Sequence, residues 1–460
     1  MKTHIKETTL YTLIMLALPA MAEQVLSTLL QYVDTAMVGH LGEAATASVN
    51  VTTTINWLMG SAMSAVGVAA IALISRSIGE GNIEKSRLVA RITFLTSVSI
   101  GILVEALALI LSPYIPMWMG ADKAILSAAS EYFFITCLPL VFRCFTHVLA
   151  SAIRATKDTK TPMVINLSAN VLNVALNYLL IYYVGWGVRG AAIASAIAYT
   201  ISGVAMMLTF FNKEELRFIA HSEKNLEKVE AKSKLIVDRS AIIKEMITIT
   251  IPVLAVNITS CMGYVVFAAI VTRMGTTIFA AHSIAVDAEE IFYMPGYGIR
   301  MATQTLIGIA IGKKDEKEFK EVVKAGYIAV LMVSVILGAL LFFVSYPLMQ
   351  IFTSSDAVAQ LGSEVLKIVA FSEPFFAIMV VSEGVFYGMG RTKYCFYVET
   401  FSMWCVRIVS TFVCVRILQQ NLDYVWYCMI ADNITKALLL CIPVIIGVKR
   451  HKWFMVQSKL

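Results

Sequence analysis

The chain has 460 residues, of which 58% are hydrophobic and only 15% are charged, and its mean hydropathy is +0.76. A soluble globular protein carries about 25% charged residues, so this composition excludes a soluble globular fold and predicts an all-α polytopic membrane protein. The net charge of +6 does not indicate a nucleic-acid partner, because the basic residues lie in loops between apolar runs.

The apolar runs are long enough for transmembrane helices, each of which needs about 20 residues. The sequence predicts twelve spans, at 10–37, 46–74, 88–111, 131–153, 162–184, 190–211, 244–271, 279–310, 322–345, 365–388, 395–418 and 424–447. Loops rich in lysine and arginine alternate with loops that contain few, so the positive-inside rule places both termini in the cytoplasm. Residues 1–22 also fit the pattern of a signal peptide, but the apolar run continues to Gly39, as a full span would. We expect a multi-pass protein of the cytoplasmic membrane.

The first span carries a polar face. Four of its residues share one side of a helix because they follow one another at intervals of three or four, and they are Glu23, Ser27, Gln31 and Asp34. Such a face must lie against protein or water rather than lipid. Asp34 lies near the end of the span, and an ionisable group at that depth is costly, so it is the first candidate for a functional residue.

The halves of the chain on either side of a lysine- and glutamate-rich stretch are related by an internal repeat. The offset in sequence number from Pro19 to Pro252 is the same as the offset from Gly79 to Gly312, and we call it the repeat offset. Each repeat has six spans, so the two bundles share one topology and form a central cleft, which is typical of a transporter. We therefore expect an N-terminal six-helix lobe at 1–211, a cytoplasmic linker at 212–243, a C-terminal six-helix lobe at 244–448 and a cytoplasmic tail at 449–460.

The repeat fails at charged positions. The counterpart of Asp34 in the second half is Phe267, so this carboxylate belongs to the first half alone. In the opposite sense, Glu289 stands where the first half has Asn56. The repeated positions define the common scaffold, and the charged positions that do not repeat are candidates for functional residues.

Five motifs resemble those of the MATE (multidrug and toxic compound extrusion) transporters. They include the sequences VDTAMVG, RATKDTKTP, GVRGAAIAS and MPGYG, and they lie at residues 19–42, 154–162, 187–195, 281–298 and 384–393. The resemblance covers nearly the whole chain and is specific because the motifs occur together. It implies a two-lobed, V-shaped bundle that exports small organic compounds, often cationic or amphipathic, in exchange for protons or sodium.

The resemblance also implies a cation site in the first lobe. The family uses the aspartate of span one, an Asn-x-x-x-Asp pair of span five and a hydroxyl of span six, which fall here on Asp34, Asn173, Asn177 and Ser195. Asn177 replaces an acid and Ser195 a threonine, so the site keeps its oxygen ligands and loses one charge. A sodium ion would be held by oxygen atoms of Asp34, Asn173 and Asn177. No cofactor is expected besides the coupling ion, H+ or Na+.

A second site distinguishes two branches of the family. The NorM-type branch carries acids in spans seven and ten, at positions that fall here on Ser260 and Phe376. Since neither residue is acidic, the sequence looks closer to the DinF-type branch. Glu373 and Glu383 do lie in span ten, so a different acidic site in the second lobe stays open.

Further candidates for the substrate cleft come from spans one and eight, and they are Glu23, Gln31, Glu289, Glu290, Tyr293, Tyr297 and Arg300. Glu289 and Arg300 are eleven residues apart and share a helical face, so we expect an ion pair between them ahead of a role in substrate or proton passage. Other acids lie within or near the spans, and Arg143, Arg407 and Lys436 are expected to neutralise some of them. Methionine and aromatic side chains are abundant and suit a cavity for flat cations, although most are expected to be packing residues.

Two alternatives stay open. A flippase for lipid-linked saccharides shares the architecture but needs a large cationic cavity, for which the candidate residues are Arg143, Arg300 and Arg407. A membrane enzyme needs a convergent metal or nucleophile constellation, and the eight cysteines and six histidines show no such spacing. The sequence favours a transporter that is not an enzyme. Its expected partners are a small-molecule substrate and the lipid bilayer, without nucleic acid, and its expected working form is a monomer.

Overall fold

The computed structural model describes residues 2–218 and 239–449, and every regular element within these ranges is helical. The first helices are α1 (Lys2–Gly39), α2 (Glu43–Gly79), α3 (Ile83–Leu111), α4 (Ile115–Trp118), α5 (Lys123–Cys137), α6 (Leu140–Ala155), α7 (Lys160–Asn177) and α8 (Gly187–Asn212). The others are α9 (Arg239–Thr272), α10 (Thr276–Gly312), α11 (Glu316–Phe352), α12 (Asp356–Ala370), α13 (Glu373–Gly388), α14 (Thr392–Phe401), α15 (Val409–Phe412) and α16 (Leu422–Lys449). Most of the predicted linker, 219–238, and the tail residues 450–460 lie outside the described residues.

The lengths of the helices agree with a polytopic membrane protein. Nine of the described helical segments are long and apolar enough to cross a membrane, or eleven if each of two bent pairs is one span. α10, which corresponds to predicted span eight, does not count among them although it is 37 residues long. At 1.5 Å per residue it reaches about 55 Å, but it carries Asp287, Glu289, Glu290 and Arg300.

Predicted spans four and ten are not single straight helices. α5 and α6 meet at 50°, and α12 and α13 meet at 56°. The first break falls at Leu138 and Pro139, and the second at Phe371 and Ser372, with Pro374 in the first turn of α13. A proline lacks the N–H that would continue the preceding helix, and its ring crowds the turn before it. The two breaks occupy equivalent positions of the two halves, since they are separated by the repeat offset.

Helix starts repeat in the same way. Gly42 precedes α2 with φ 105°, and Gly275 precedes α10 with φ 118°, a backbone region that other residues rarely enter. The side chain of Asn82 caps α3 by accepting the N–H of residue 85, and Asp315 caps α11 by accepting those of residues 317 and 318. Helices at corresponding positions of the two halves therefore start in the same way, either after a glycine with positive φ or with a polar side chain that caps the helix.

The chain divides into two compact units, which we call the first unit (Leu26–Thr250) and the second unit (Met1–Val25 with Ile251–Leu460). The division falls inside α1 and α9, the first helix of each half. The first unit packs around the buried rings of Phe133, Phe145 and Phe210. The core of the second unit includes Leu341 and the fully buried ring of Trp426. Each unit thus has its own hydrophobic core.

Candidate functional site

One side of α7 carries four asparagines at helical spacing, namely Asn166, Asn170, Asn173 and Asn177. Asn170 Nδ2 donates to Ser27 Oγ at 3.0 Å, and Ser202 Oγ donates to Asn166 Oδ1 at 3.2 Å. This face therefore contacts α1 on one side and α8 on the other. Asn166 and Asn170 are not among the candidates predicted from the sequence, although their spacing from Asn173 was a signal that could have found them.

The four residues predicted as the cation site form one chain of hydrogen bonds in the first unit. Asn177 Nδ2 donates to Asp34 Oδ1 and also to Asn173 Oδ1, 3.4 Å away. Asn173 Nδ2 donates in turn to Ser195 Oγ at 3.2 Å. The carboxylate of α1 is thereby connected through α7 to the hydroxyl of α8.

The charge of Asp34 has little compensation. Asp34 is partly buried and Asn177 fully buried, and no basic side chain of the described residues lies within 4.0 Å of the Asp34 carboxylate. Asn177 Oδ1 is buried, and it accepts no hydrogen bond from any described residue. A carboxylate and an unused acceptor oxygen at membrane depth favour the uptake of a proton or a cation, because either one removes the cost of the buried charge.

The backbone after Asn177 is widened. The α-helical hydrogen bonding of α7 ends there, and a π-helical turn runs over Tyr178–Tyr183. Such turns are rare and frequently occur at functional sites. Tyr182 Oη donates to the main-chain oxygen of Met37 at 2.7 Å, so this turn holds the end of α7 against the end of α1, next to Asp34.

The polar face predicted for α1 is divided between the units. Glu23, only 7% exposed, belongs to the second unit, whereas Ser27, Gln31 and Asp34 belong to the first. The side chain of Gln31 is exposed and takes no part in the chain of hydrogen bonds from Asp34 to Ser195. Ser27 and Asp34 of this face accept hydrogen bonds from asparagines of α7.

The donors around Asp34 can be tested as a sodium site. Carboxylate and amide oxygens suit a hard monovalent cation, and Asp34, Asn173 and Asn177 supply them. The Asn177 amide presents its nitrogen to Asp34, so a cation would require this amide to turn and present its unpartnered oxygen. The chemistry of the donor set therefore fits H+ or Na+.

In the second unit, the predicted ion pair between Glu289 and Arg300 is wrong. Arg300 Nη1 lies 2.7 Å from Glu383 Oε2 of α13. Eleven residues of helix rise by about 16 Å, so two side chains can share a face and still be too far apart along the axis to touch. Glu289 is buried, and Glu290 beside it is half-buried.

The tyrosines predicted for the substrate cleft form an aromatic cluster. Phe376 of α13 lies with its ring centroid 5.0 Å from that of Tyr293 and 6.1 Å from that of Tyr297. The Arg300 guanidinium lies 4.6 Å from the centre of the Tyr297 ring. Tyr293 and Phe376 also line a cavity that includes Glu373. A polarizable, aromatic surface of the second unit therefore lies beside two acidic side chains of α13.

A buried ionic network that the sequence could not pair lies elsewhere in the second unit. Arg407 Nε lies 2.9 Å from Asp432 Oδ2, and Lys436 Nζ lies 2.9 Å from Glu399 Oε2 and 3.2 Å from Asp432 Oδ2. Ser402 Oγ donates to Asp432 Oδ1 at 2.6 Å. The expectation that Arg407 and Lys436 neutralise buried acids is confirmed. The spacing of Asp432 and Lys436 by four residues was the one local signal for this network.

Arg143, in the first unit, does not follow that expectation. No carboxylate oxygen of the described residues lies within 4.0 Å of its guanidinium. Glu105 of α3 accepts the main-chain N–H of Val141 at 3.0 Å instead. The prediction that Arg143 neutralises an acid is therefore wrong.

Comparison with known proteins gives an independent view of the chain. The family model MatE matches residues 19–179 and 252–413, and the starts of the two matches are separated by the repeat offset. A probable multidrug resistance protein NorM of Thermotoga maritima is 28% identical over 431 residues, which cover 93% of this chain and 90% of that protein. The Arabidopsis thaliana protein DETOXIFICATION 44, chloroplastic, is 24% identical over 387 residues, which cover 81% of this chain and 71% of that protein.

Solved structures resemble the fold along almost the whole chain. The outward-facing conformation of a multidrug resistance MATE family transporter of the MOP superfamily matches with a TM-score of 0.87 and 18% identity, covering 96% of this chain and 97% of that one. A MATE transporter of Vibrio cholerae matches with a TM-score of 0.87 and 18% identity, covering 98% and 99%. At these identities the likeness concerns the arrangement of helices.

Proposed function

Because the chain belongs to the MATE family of membrane transporters, we propose that it exports small organic compounds, often cationic or amphipathic, in exchange for protons or sodium ions. The observation that carries the proposal is the chain of hydrogen bonds from Asp34 through Asn177 and Asn173 to Ser195. It joins three helices long and apolar enough to cross a membrane. An ionisable residue in such helices is a functional candidate by default.

The Asn177 amide suits both states of the coupling residue. An ionised Asp34 can only accept, and the amide Nδ2 donates to it. A protonated Asp34 must donate, and the amide oxygen, which no described residue uses, can accept after the amide turns by half a revolution. A sodium ion would use the same oxygen. Loading of the ion then stabilises one of two conformations, and binding of the substrate stabilises the other.

The location and the organisation of the chain complete the proposal. The distribution of basic loops supports the cytoplasmic membrane with both termini in the cytoplasm. We place the six-helix lobes at 1–211 and 244–448 and take the monomer as the working form. The uncharged residues Ser260 and Phe376 support the DinF-type branch, whereas the NorM name of the Thermotoga maritima relative weighs against it.

A flippase for lipid-linked saccharides is the weaker alternative. Of its three candidate arginines, Arg300 is neutralised by Glu383 and Arg407 by Asp432. A pyrophosphate-linked saccharide carries at least two negative charges and would need several unpaired cations in one cavity. Arg143 alone does not supply them.

Reconstitution in liposomes tests the proposal. A proton gradient and a sodium gradient are imposed separately, and the movement of a fluorescent organic cation such as ethidium is followed. We expect one gradient to drive export, and Asp34→Asn to slow it by about tenfold or more while the protein still folds and inserts. Glu43→Gln, which removes an exposed carboxylate at the start of α2, is the matched control and should export at the wild-type rate. Normal gradient-driven export by Asp34→Asn would exclude Asp34 as the coupling residue.

A further inference from the structure

A polar and aromatic patch of the first unit surrounds Arg143. We define the Arg143 patch by its residues, which are Asn56 of α2, Tyr132 of α5, Arg143 and His147 of α6, and Tyr199 of α8. All five side chains are partly exposed. α6 is the second helix of a bent pair that together is long and apolar enough for a membrane span. The patch therefore presents a positive charge at membrane depth on a surface that a ligand can reach.

The contacts of the guanidinium are all with neutral groups. Arg143 Nη2 donates to the main-chain oxygen of Asn56 at 3.0 Å, and Nη1 to its Oδ1 at 3.5 Å. The guanidinium carbon lies 5.2 Å from the centre of the Tyr199 ring. Arg143 Nε is buried and has no hydrogen-bond partner in the described part of the chain. The Arg143 guanidinium therefore keeps N–H donors without acceptors and a positive charge without a counter-ion among the described residues.

Close packing holds the guanidinium in this place. A Cβ atom at Gly60 of α2 would lie 3.3 Å from Arg143 Nη2, and one at Gly203 of α8 would lie 2.5 Å from Phe142, the residue before Arg143. Glycine at both positions therefore lets α2 and α8 approach α6 on either side. His147, one turn further along α6, contacts Ser64 Oγ at 3.3 Å and adds no negative charge. The arginine is positioned without being neutralised.

An unneutralised arginine at such a place needs an external partner. Guanidinium stays protonated in proteins, and a partly buried charge without a counter-ion is energetically unfavourable. Its planar donors match the two oxygens of a carboxylate or the oxygens of a phosphate. Tyr132 is close enough to Arg143 for the two side chains to interact electrostatically.

We propose that the Arg143 patch binds an anionic group of the transported compound, so that Arg143 makes the protein prefer a cargo with a carboxylate to the same compound without one. The inference rests on the proposed export function and adds to it a residue that determines specificity. Because Arg143 Nε is buried, oxygens of the cargo take the second N–H groups of Nη1 and Nη2, while its ring system lies against Tyr199 and Tyr132. A lipid phosphate has the same chemistry, and the test separates the two sources.

The experiment compares two ligands that differ in one charge. A rhodamine with a free carboxylate and its methyl ester are titrated against the purified full-length protein in a neutral detergent, and binding is followed by fluorescence polarisation. We expect the wild type to bind the acid about tenfold more tightly than the ester, which is the effect of one charge-assisted contact. Arg143→Gln should bring the ratio of the two affinities close to one, and Arg143→Lys should keep part of the preference. Arg87→Gln, which removes an arginine paired with Glu84 at 3.0 Å, should keep the wild-type ratio.

The outcomes separate this inference from the proposed function. Equal binding of acid and ester by the wild type would overturn it, even if Arg143→Gln did not fold. A preference for the acid that persists in Arg143→Gln would overturn it as well. Loss of the preference on adding phosphatidylglycerol would assign the patch to a lipid headgroup and not to the cargo. Binding is measured without a gradient, so failure of ion-driven export would contradict the proposed function and leave the measured preference standing.

Discussion

An amide rather than an acid at position 177 changes what the site beside Asp34 can hold. Two carboxylates in contact cannot both be ionised without a cation between them, whereas one carboxylate and one amide can be satisfied by a hydrogen bond alone. Asn177 donates such a bond to Asp34 and another to Asn173. The site therefore keeps its hydrogen bonds without a bound ion. When an ion binds, the site offers it one negative charge instead of two.

Restoring the acid should strengthen the cation site. We expect Asn177→Asp to lower the sodium concentration that gives half of the maximal thermal stabilisation by about tenfold, because a second carboxylate adds a charged oxygen ligand. The measurement is the melting temperature of the detergent-solubilised protein over a sodium titration at constant ionic strength. Asn166→Asp, on the same helical face but away from Asp34, is the control. An unchanged sodium midpoint would place cation binding elsewhere.

Asp158 illustrates a charge outside the spans whose environment is well compensated. Burial alone would raise the pKa of its carboxyl, but hydrogen bonds from Lys213 and Thr161 outweigh burial and hold the pKa below the ordinary value of 3.8. Lys213 Nζ lies 2.5 Å from Oδ2, and the main-chain N–H of Thr161 donates to Oδ1 at 2.9 Å. Asp158 thereby joins the start of α7 to the segment after α8.

The depressed pKa predicts a pH-dependent contribution to stability. We expect Asp158→Asn to lower the melting temperature at pH 7 by a few degrees, since contacts of a partly exposed charge contribute about 1 kcal/mol. The contribution is complete above the unfolded-state pKa and is lost as the pH falls through the lower folded-state pKa, so the difference between the two proteins should shrink as the pH falls below 3.8. Melting curves of both proteins from pH 7 to pH 3 provide the measurement. A constant difference over this range would show that the carboxylate charge is not responsible.

At the scale of elements, the bend between α5 and α6 creates a helix end at membrane depth. The first N–H groups of α6 have no partner within their own helix, and no water is available in the bilayer core to satisfy them. The Glu105 carboxylate of α3 satisfies one of these groups, since the main-chain N–H of Val141 donates to Glu105 Oε2 at 3.0 Å. Its negative charge also lies at the positive end of the α6 dipole. Glu105 is an acid within a membrane-spanning helix, which would suggest a role in transport. Its hydrogen bond to Val141 explains it instead as a helix cap.

Removing that cap should destabilise the first unit. We expect Glu105→Leu to lower the free energy of unfolding by about 2 kcal/mol, because a buried N–H is left without an acceptor. Glu105→Gln keeps an acceptor oxygen and should lose less than half as much. Thermal or denaturant unfolding in micelles, with transport measured in parallel, gives both values. If Glu105→Leu unfolds like the wild type but no longer transports, Glu105 is a transport residue rather than a cap.

At the scale of the whole molecule, the two halves share one backbone scaffold but differ in their charged side chains. Bends, helix starts and caps of the first half recur in the second half at the repeat offset. The first unit places one carboxylate among amides, whereas the second unit buries Arg407, Lys436 and their acids as closed ion pairs. Buried ion pairs add little net stability. We therefore propose that ion binding at the unpaired carboxylate of the first unit, Asp34, shifts the equilibrium between the conformations of the protein.

Exchange requires that binding of the ion weakens binding of the substrate, and that binding of the substrate weakens binding of the ion. If the ion lowers substrate affinity by a factor typical of coupled sites, about 5- to 150-fold, substrate must lower ion affinity by the same factor. We expect substrate binding to release about one proton or sodium ion from the wild type and none from Asp34→Asn. Calorimetry in two buffers of different ionisation enthalpy, with and without sodium, measures this release. Ion-independent binding in the wild type would contradict antiport.

The sequence by itself determined the repeat and most of the helices, and it named the candidate residues around Asp34. Apolar runs, prolines and glycines are local signals, so they act through a few neighbouring residues and can be read directly. Asp34, Asn173, Asn177 and Ser195 were named from motifs, and the structure places them in one chain of hydrogen bonds. Residues 173 and 177 share a face by helical periodicity alone.

The tertiary structure alone decided which charges meet. Arg300 contacts Glu383, 83 residues away, instead of Glu289 on its own helix, and Arg143 faces an amide and an aromatic ring where an acid was expected. Helical periodicity specifies the side of a helix on which a residue lies, but it does not specify the neighbouring helix or the depth at which the two touch. Those depend on how ridges, glycines and bends of different helices pack together, and this information is spread over the whole fold.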